Sequence, residues 1–159
     1  MNKVILGLFL GGFLVAGLHA HAAELTPFER LKSLAGTWTG HAMTPDGPPV
    51  SIVYRVSAGG TTVQETLFPG DPHEMITMYN VDGKDLIATH YCSAGNQPTM
   101  KLDAAKSTAD KLVFDFVSVR GKGPYIHDGW IQFTSPDAIT ASWNGDDGGK
   151  HVFYLTRGK

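Results

Sequence analysis

The chain has 159 residues, of which 42% are hydrophobic, 18% charged and 10% aromatic, the composition of one globular domain rather than a disordered tail. Thirteen Lys and Arg stand against 15 Asp and Glu, a net charge of −2, so no basic field exists to hold nucleic acid or an anionic membrane surface. The single cysteine cannot close an intrachain disulfide or build a cysteine-based zinc cluster.

The first segment reads as an address rather than as part of the fold. Lys3 supplies a short positive start, Val4 to Gly17 is an unbroken apolar run, and Ala20-His21-Ala22 offers small residues where a signal peptidase reads them. Residues 1–22 are expected to be a signal peptide of bacterial type, leaving residues 23–159 as one domain in the periplasm or secreted. The apolar run is shorter than the roughly 20 residues a bilayer needs, so no stable membrane insertion is expected after cleavage. No cysteine lies near the cleavage point to be lipidated.

Helical punctuation comes next. Thr26 is an N-cap type, Pro27 suits the first helical position, and Glu29 completes a capping box. Phe28, Leu31 and Leu34 form one apolar face, and Gly36 ends it, which predicts a helix of two to three turns.

From Gly36 onward the apolar period is two. It predicts strands over 37–43, 50–57, 61–68, 74–81, 85–92, 99–103, 111–119, 126–134, 138–144 and 150–157. Turn chemistry separates them, and Asp82-Gly83 between two alternating runs is the strongest hairpin signal. Ten short antiparallel strands can form a sandwich or close into a barrel, and composition alone does not choose.

The segment Leu34-Ala35-Gly36-Thr37-Trp38-Thr39-Gly40, a short helix running into Gly-x-Trp on the first strand, resembles the start of calycin, or lipocalin-like, barrels. The wider pattern through Thr61-Thr62-Val63-Gln64-Glu65 and Thr89-His90-Tyr91-Cys92 is similar to exported bacterial lipocalin-like domains of unknown function. The resemblance implies an all-β, up-and-down antiparallel barrel of about ten strands with a short N-terminal helix. It also implies that Trp38 closes one end, with Arg157 on the last strand packed over it as a cation–π partner. The Gly-x-Trp-x-Gly start further resembles nitrobindin-like haem barrels, which carry a haem-ligating His near the C-terminus. That resemblance would assign the axial position to His151.

The densest polar stretch is Thr89 to Pro98. On a strand His90 and Cys92 share a face, so imidazole and thiol stand together either as a reactive or metal-holding pair or as a core histidine beside an inert buried thiol. Asn96 and Gln97 either rim a barrel mouth or cap a turn. Glu65 alternates with Val63 and Leu67, and if it faces inward it needs a partner such as Tyr54 or Arg55. The five histidines after residue 22 are scattered, with no metal-ligand spacing. Leu86, Phe114, Phe116, Ile131 and Phe133 join His90 on the expected inner faces. The expected ligand-binding set is His90, Tyr91, Asn96, Gln97, Phe114, Phe116 and Phe133.

These readings converge on an exported barrel that binds a small, mostly apolar molecule, uses no cofactor and is not an enzyme. Two others stay open: a haem b protein using His151, and a structural barrel whose interior is filled by side chains.

Overall fold

A computed structural model describes residues 25–158. The signal peptide expected over residues 1–22 lies outside them.

The chain enters through helix α1 (Pro27–Lys32). Thr26 Oγ1 caps it by accepting from the Glu29 amide at 3.2 Å. Its six residues are shorter than the two to three turns expected. Glu29 turns its carboxylate to Lys32 at 3.0 Å, and the helix stops at Ser33 well before Gly36. Gly36 instead opens the first strand at φ +132°, a conformation that glycine adopts without a Cβ penalty.

Ten strands follow: β1 (Gly36–Ala42), β2 (Pro49–Ser57), β3 (Thr62–Leu67), β4 (Met75–Asp82), β5 (Asp85–Tyr91), β6 (Gln97–Leu102), β7 (Lys111–Arg120), β8 (Ile126–Ser135), β9 (Ala138–Gly145) and β10 (Lys150–Arg157). Each pairs antiparallel with its sequence neighbours, and β1 pairs with β10, so the sheet closes into an up-and-down barrel. Closure gives every described strand a paired neighbour on both sides. Two connections are only two residues long: Gly83-Lys84, where Asp82 pairs with Asp85 and Gly83 takes φ +60°, and Pro136-Asp137, where Ser135 pairs with Ala138.

Alternation puts Ile52, Val63, Leu112, Ile131, Ile139 and Leu155 inside, all at or close to zero exposure. Each such side chain contributes roughly 1.5–3 kcal/mol through burial. The helix end of the barrel is sealed. Leu31 and Leu34 are buried there with Trp38, whose indole Nε1 donates to the Leu34 carbonyl at 2.7 Å. The Arg157 guanidinium lies 4.5 Å from the centre of the Trp38 ring. It also donates to the carbonyls of Ala35 and Ser33, each at 2.9 Å, and meets Asp137 at 3.0 Å. One side chain thus ties the last strand to the helix exit and to the turn before β9.

The opposite end is looser. Pairing between β7 and β8 stops at Phe114 and Gly129, so the two strands diverge beyond that point. The stack of Phe116 on His127, with centroids 4.8 Å apart, and on Tyr125 at 5.4 Å occupies the gap.

Candidate functional site

At the end away from the helix, the interior opens into a cavity of about 190 Å³. Cavities of roughly 150 Å³ lined by aliphatic side chains take up benzene, so this one has the scale of a one- or two-ring molecule. Its walls are mainly apolar, from Leu67, Phe68, Met75, Met100, Trp143 and Phe153. Thr77, His90, Cys92, Asp147 and His151 add polar groups, and among the described residues no Lys or Arg lines it.

A row of polar side chains lies at its inner boundary. Tyr54 pairs with Glu65, Glu65 with Thr77, and Thr77 with His90, so four consecutive strands place one inward residue each side by side. All four are buried. The Glu65 carboxylate accepts from the Tyr54 hydroxyl at 2.7 Å through Oε1 and from the Tyr79 hydroxyl at 2.8 Å through Oε2. Burial raises its pKa, opposed by hydrogen bonds from Tyr54, Tyr79 and Thr77. Both tyrosines are pushed well above their ordinary value, first by burial and then by the carboxylate beside them.

His90 ends the row. Its Nδ1 lies 3.0 Å from Thr77 Oγ1, while Nε2 is buried with no hydrogen-bond partner. Burial, and then the nearby His151, lowers its pKa from the ordinary 6.5 to about 4. The imidazole is therefore neutral at pH 7, a polar group in an apolar wall with half of its capacity unused.

The cavity rim is stitched together by its loops. Asn96 Nδ2 donates to the Pro124 carbonyl at 2.8 Å, which ties the β5–β6 turn to the β7–β8 loop. Asp146 in turn accepts from the Tyr125 amide at 2.9 Å, tying that loop to the one before β10.

Of the seven residues expected to contact a ligand, the structure places His90 on this cavity. Tyr91 follows it on β5 and points the other way, 49% exposed on the outer wall, because side chains alternate along a strand. Asn96 is fully buried in the loop contact just described, and Gln97 starts β6 opposite Arg120. Phe114 lies in the core against Tyr79 and Trp143. Phe116 packs into the β7–β8 gap, and Phe133 sits at the helix end under Arg30, 4.5 Å away. His151 is exposed at the cavity rim. Cys92 lies just beyond β5 and is half-buried rather than buried. Its Sγ is 3.9 Å from Met75 Sδ, and the imidazole of His90 is engaged with Thr77.

Thr77 and Tyr79 were not legible as site residues. Period-two parity along Met75, Thr77 and Tyr79 was the available signal, and apolar Ile76 and Met78 on the other face obscured it.

No protein-family model matches the chain, and no curated protein matches it. Among solved structures it is similar to a redesigned beta barrel, at 14% sequence identity and a TM-score of 0.42, over 81% of this chain and 95% of that one. The fold and cavity together define a closed ten-stranded β-barrel with one sealed end and one cavity-bearing end that could hold a ligand.

Proposed function

We propose that residues 23–159 form an exported, calycin-like barrel that binds a small, mostly apolar molecule in the cavity beside His90. The observation that carries this reading is the cavity itself: apolar walls, ring-sized volume and one buried imidazole nitrogen left without a partner. Few convergent polar groups in an apolar pocket are the usual composition of a small-molecule site. Export draws its support from the sequence alone, through the apolar run and the Ala20-His21-Ala22 site. Binding is favoured over catalysis because His90 and Cys92 each face a neighbour that does not activate them, Thr77 and Met75.

Native mass spectrometry of protein purified from its own compartment, together with binding of an uncharged environment-sensitive dye, tests this reading. Retained ligand mass, or dye uptake that competing apolar molecules reverse, is the expected result. A folded protein that takes up no apolar probe would make the filled-barrel reading correct instead.

Haem is the second reading, with His151 on the rim of the same cavity as His90, but a cavity of about 190 Å³ has the scale of one or two rings and does not fit a four-pyrrole macrocycle unless the rim opens. When bound, haem would supply redox and gas-binding chemistry, with His151 as its candidate ligand. A Soret band in the purified protein, lost in His151→Ala, would favour it over the first reading.

A further inference from the structure

The two ends of the barrel differ in charge as well as in closure. The five loops at the cavity end, residues 43–48, 68–74, 92–96, 121–125 and 146–149, carry the carboxylates Asp46, Asp71, Glu74, Asp146 and Asp147 against one cation, Lys122. Arg120 and Lys150, at the adjoining ends of β7 and β10, still leave that end negative. Lys150 stands on the outer wall, because His151 after it lines the cavity and side chains alternate along a strand. Among the described residues none of the five loop carboxylates pairs with a Lys or Arg, and Asp71 meets only His73, at 3.2 Å. The carboxylates of the helix-end loops are all paired: Glu29 with Lys32, Asp110 with Arg30, Asp103 with Lys106 and Asp137 with Arg157, each at 3.0 Å. Unpaired charges of one sign around a mouth with apolar walls build a field that draws cations and repels anions.

Asp147 brings one of these carboxylates onto the cavity wall. Its Oδ1 accepts from the Gly149 amide at 2.8 Å, which holds the loop and leaves Oδ2 for another partner. Four aromatic side chains line the same cavity, Phe68, Tyr125, Trp143 and Phe153, and Phe68 meets Phe153 edge to face with centroids 6.3 Å apart. Aromatic faces attract an ammonium group through their quadrupole, and they accept a hydrocarbon body equally well. A metal ion is a poorer match, because among the described residues no three His, Cys, Asp or Glu side chains gather to ligate one.

Resting on the binding reading above, we propose that the cavity takes a small organic cation, an amine with an aromatic or alkyl body. The body enters between Phe68, Trp143 and Phe153, and the protonated nitrogen stays at the mouth beside Asp147. Carboxylates and phosphates are turned away, since no Lys or Arg among the described residues lines the cavity.

The test is calorimetric titration of the full chain with benzylamine, benzyl alcohol and phenylacetate, which share a ring and differ in charge. The titrations are run at pH 8, where imidazole is neutral and adds no competing positive charge. Benzylamine is expected to bind about fivefold more tightly than benzyl alcohol, the scale of one exposed ion pair, with phenylacetate the weakest of the three. In Asp147→Asn, which keeps an oxygen to accept from the Gly149 amide, the amine-to-alcohol ratio is expected to fall to about one. About 0.5 M NaCl is expected to shrink the same ratio in wild type without any substitution, because exposed charges are screened. Benzyl alcohol or phenylacetate binding as tightly as benzylamine would overturn the proposal while leaving the binding reading intact. So would an amine preference that survives both Asp147→Asn and added salt. Folded wild-type protein that binds none of the three probes would overturn both.

Discussion

At the scale of single residues, the interior is organised by two groups whose environments disfavour their charged forms. His90 stays neutral down to about pH 4 in the fold but protonates from the ordinary 6.5 in the unfolded chain. Between those values the unfolded chain binds the extra proton, so the His90 contribution to stability is complete above pH 6.5 and declines as pH falls toward 4. The separation of the two values corresponds to a loss of roughly 3 kcal/mol. Glu65 works in the other sense. Its raised pKa lets the fold hold a proton that the unfolded chain has released, which costs stability as pH rises above the ordinary carboxylate range. The two windows overlap, and a comparison of variants separates them. Urea denaturation of wild type and His90→Phe at pH 7 and pH 5 is expected to show a smaller pH 7 advantage in the variant; equal advantages would mean that His90 is hydrated or charged in the fold. Glu65 itself is held by geometry more than by charge, because two tyrosine hydroxyls converge on it. Glu65→Gln keeps an acceptor for one hydroxyl and a donor for the other, and is expected to cost about 1 kcal/mol or less. Glu65→Leu strands both hydroxyls, at about 1–3 kcal/mol each. Denaturation midpoints that rank Leu above Gln would contradict the hydrogen-bonded arrangement.

At the scale of elements, the barrel has one end built for closure. The helix exit, Trp38 and Arg157 come from the two ends of the domain and meet in one contact, with the indole bonded to Leu34 and the guanidinium to Ser33 and Ala35. Trp38→Ala removes a fully buried ring and the surface on which Arg157 rests, and is expected to cost roughly 3–5 kcal/mol. Trp38→Phe retains most of the apolar area and should cost clearly less. Thermal unfolding of both variants checks this, and an unchanged melting temperature for Trp38→Ala would show that the plug is dispensable. This end was legible from Gly36-Thr37-Trp38 and the helix cap, and the ten strands were legible because their alternation is regular and their turns carry Gly, Pro and Asp. The cavity end was not. Its residues meet through the register of β2 to β5, and a strand's own sequence shows which side chains share a face but not which residue stands opposite on the next strand. Hence Tyr54 was readable as a partner of Glu65, while Tyr79, one row further along β4, was not. Asn96 and Gln97 were ambiguous for a related reason: the loop-to-loop bond from Asn96 to Pro124 spans residues 28 positions apart.

At the scale of the whole molecule, everything inside the barrel depends on the seam between β1 and β10, the one strand pairing that joins opposite ends of the chain. An interior of eight strands is just filled by side chains or holds one small ligand, and ten strands leave more room, so closure is what turns an apolar sheet face into a cavity. Gly40 lies at the middle of that seam, paired with Leu155 on one side and Val50 on the other. A Cβ there would fall 1.9 Å from the Tyr154 carbonyl oxygen and 2.9 Å from its carbonyl carbon. These are backbone atoms, so no rotamer change relieves the overlap and β10 itself must move. Gly40→Ala is therefore expected to cost about 3 kcal/mol or more, beyond the usual range for an added methyl group. It should also expose two strand edges, and with them a tendency to associate. Thr39→Ala is the matched control: it is exposed on the same strand and in the same pairing, and should change stability by about 0.5 kcal/mol or less. Denaturation midpoints together with size-exclusion profiles distinguish the two variants. If Gly40→Ala unfolds with the wild-type midpoint and elutes as wild type does, β1 and β10 do not approach as closely as the closed barrel requires, and the cavity they enclose loses its physical basis.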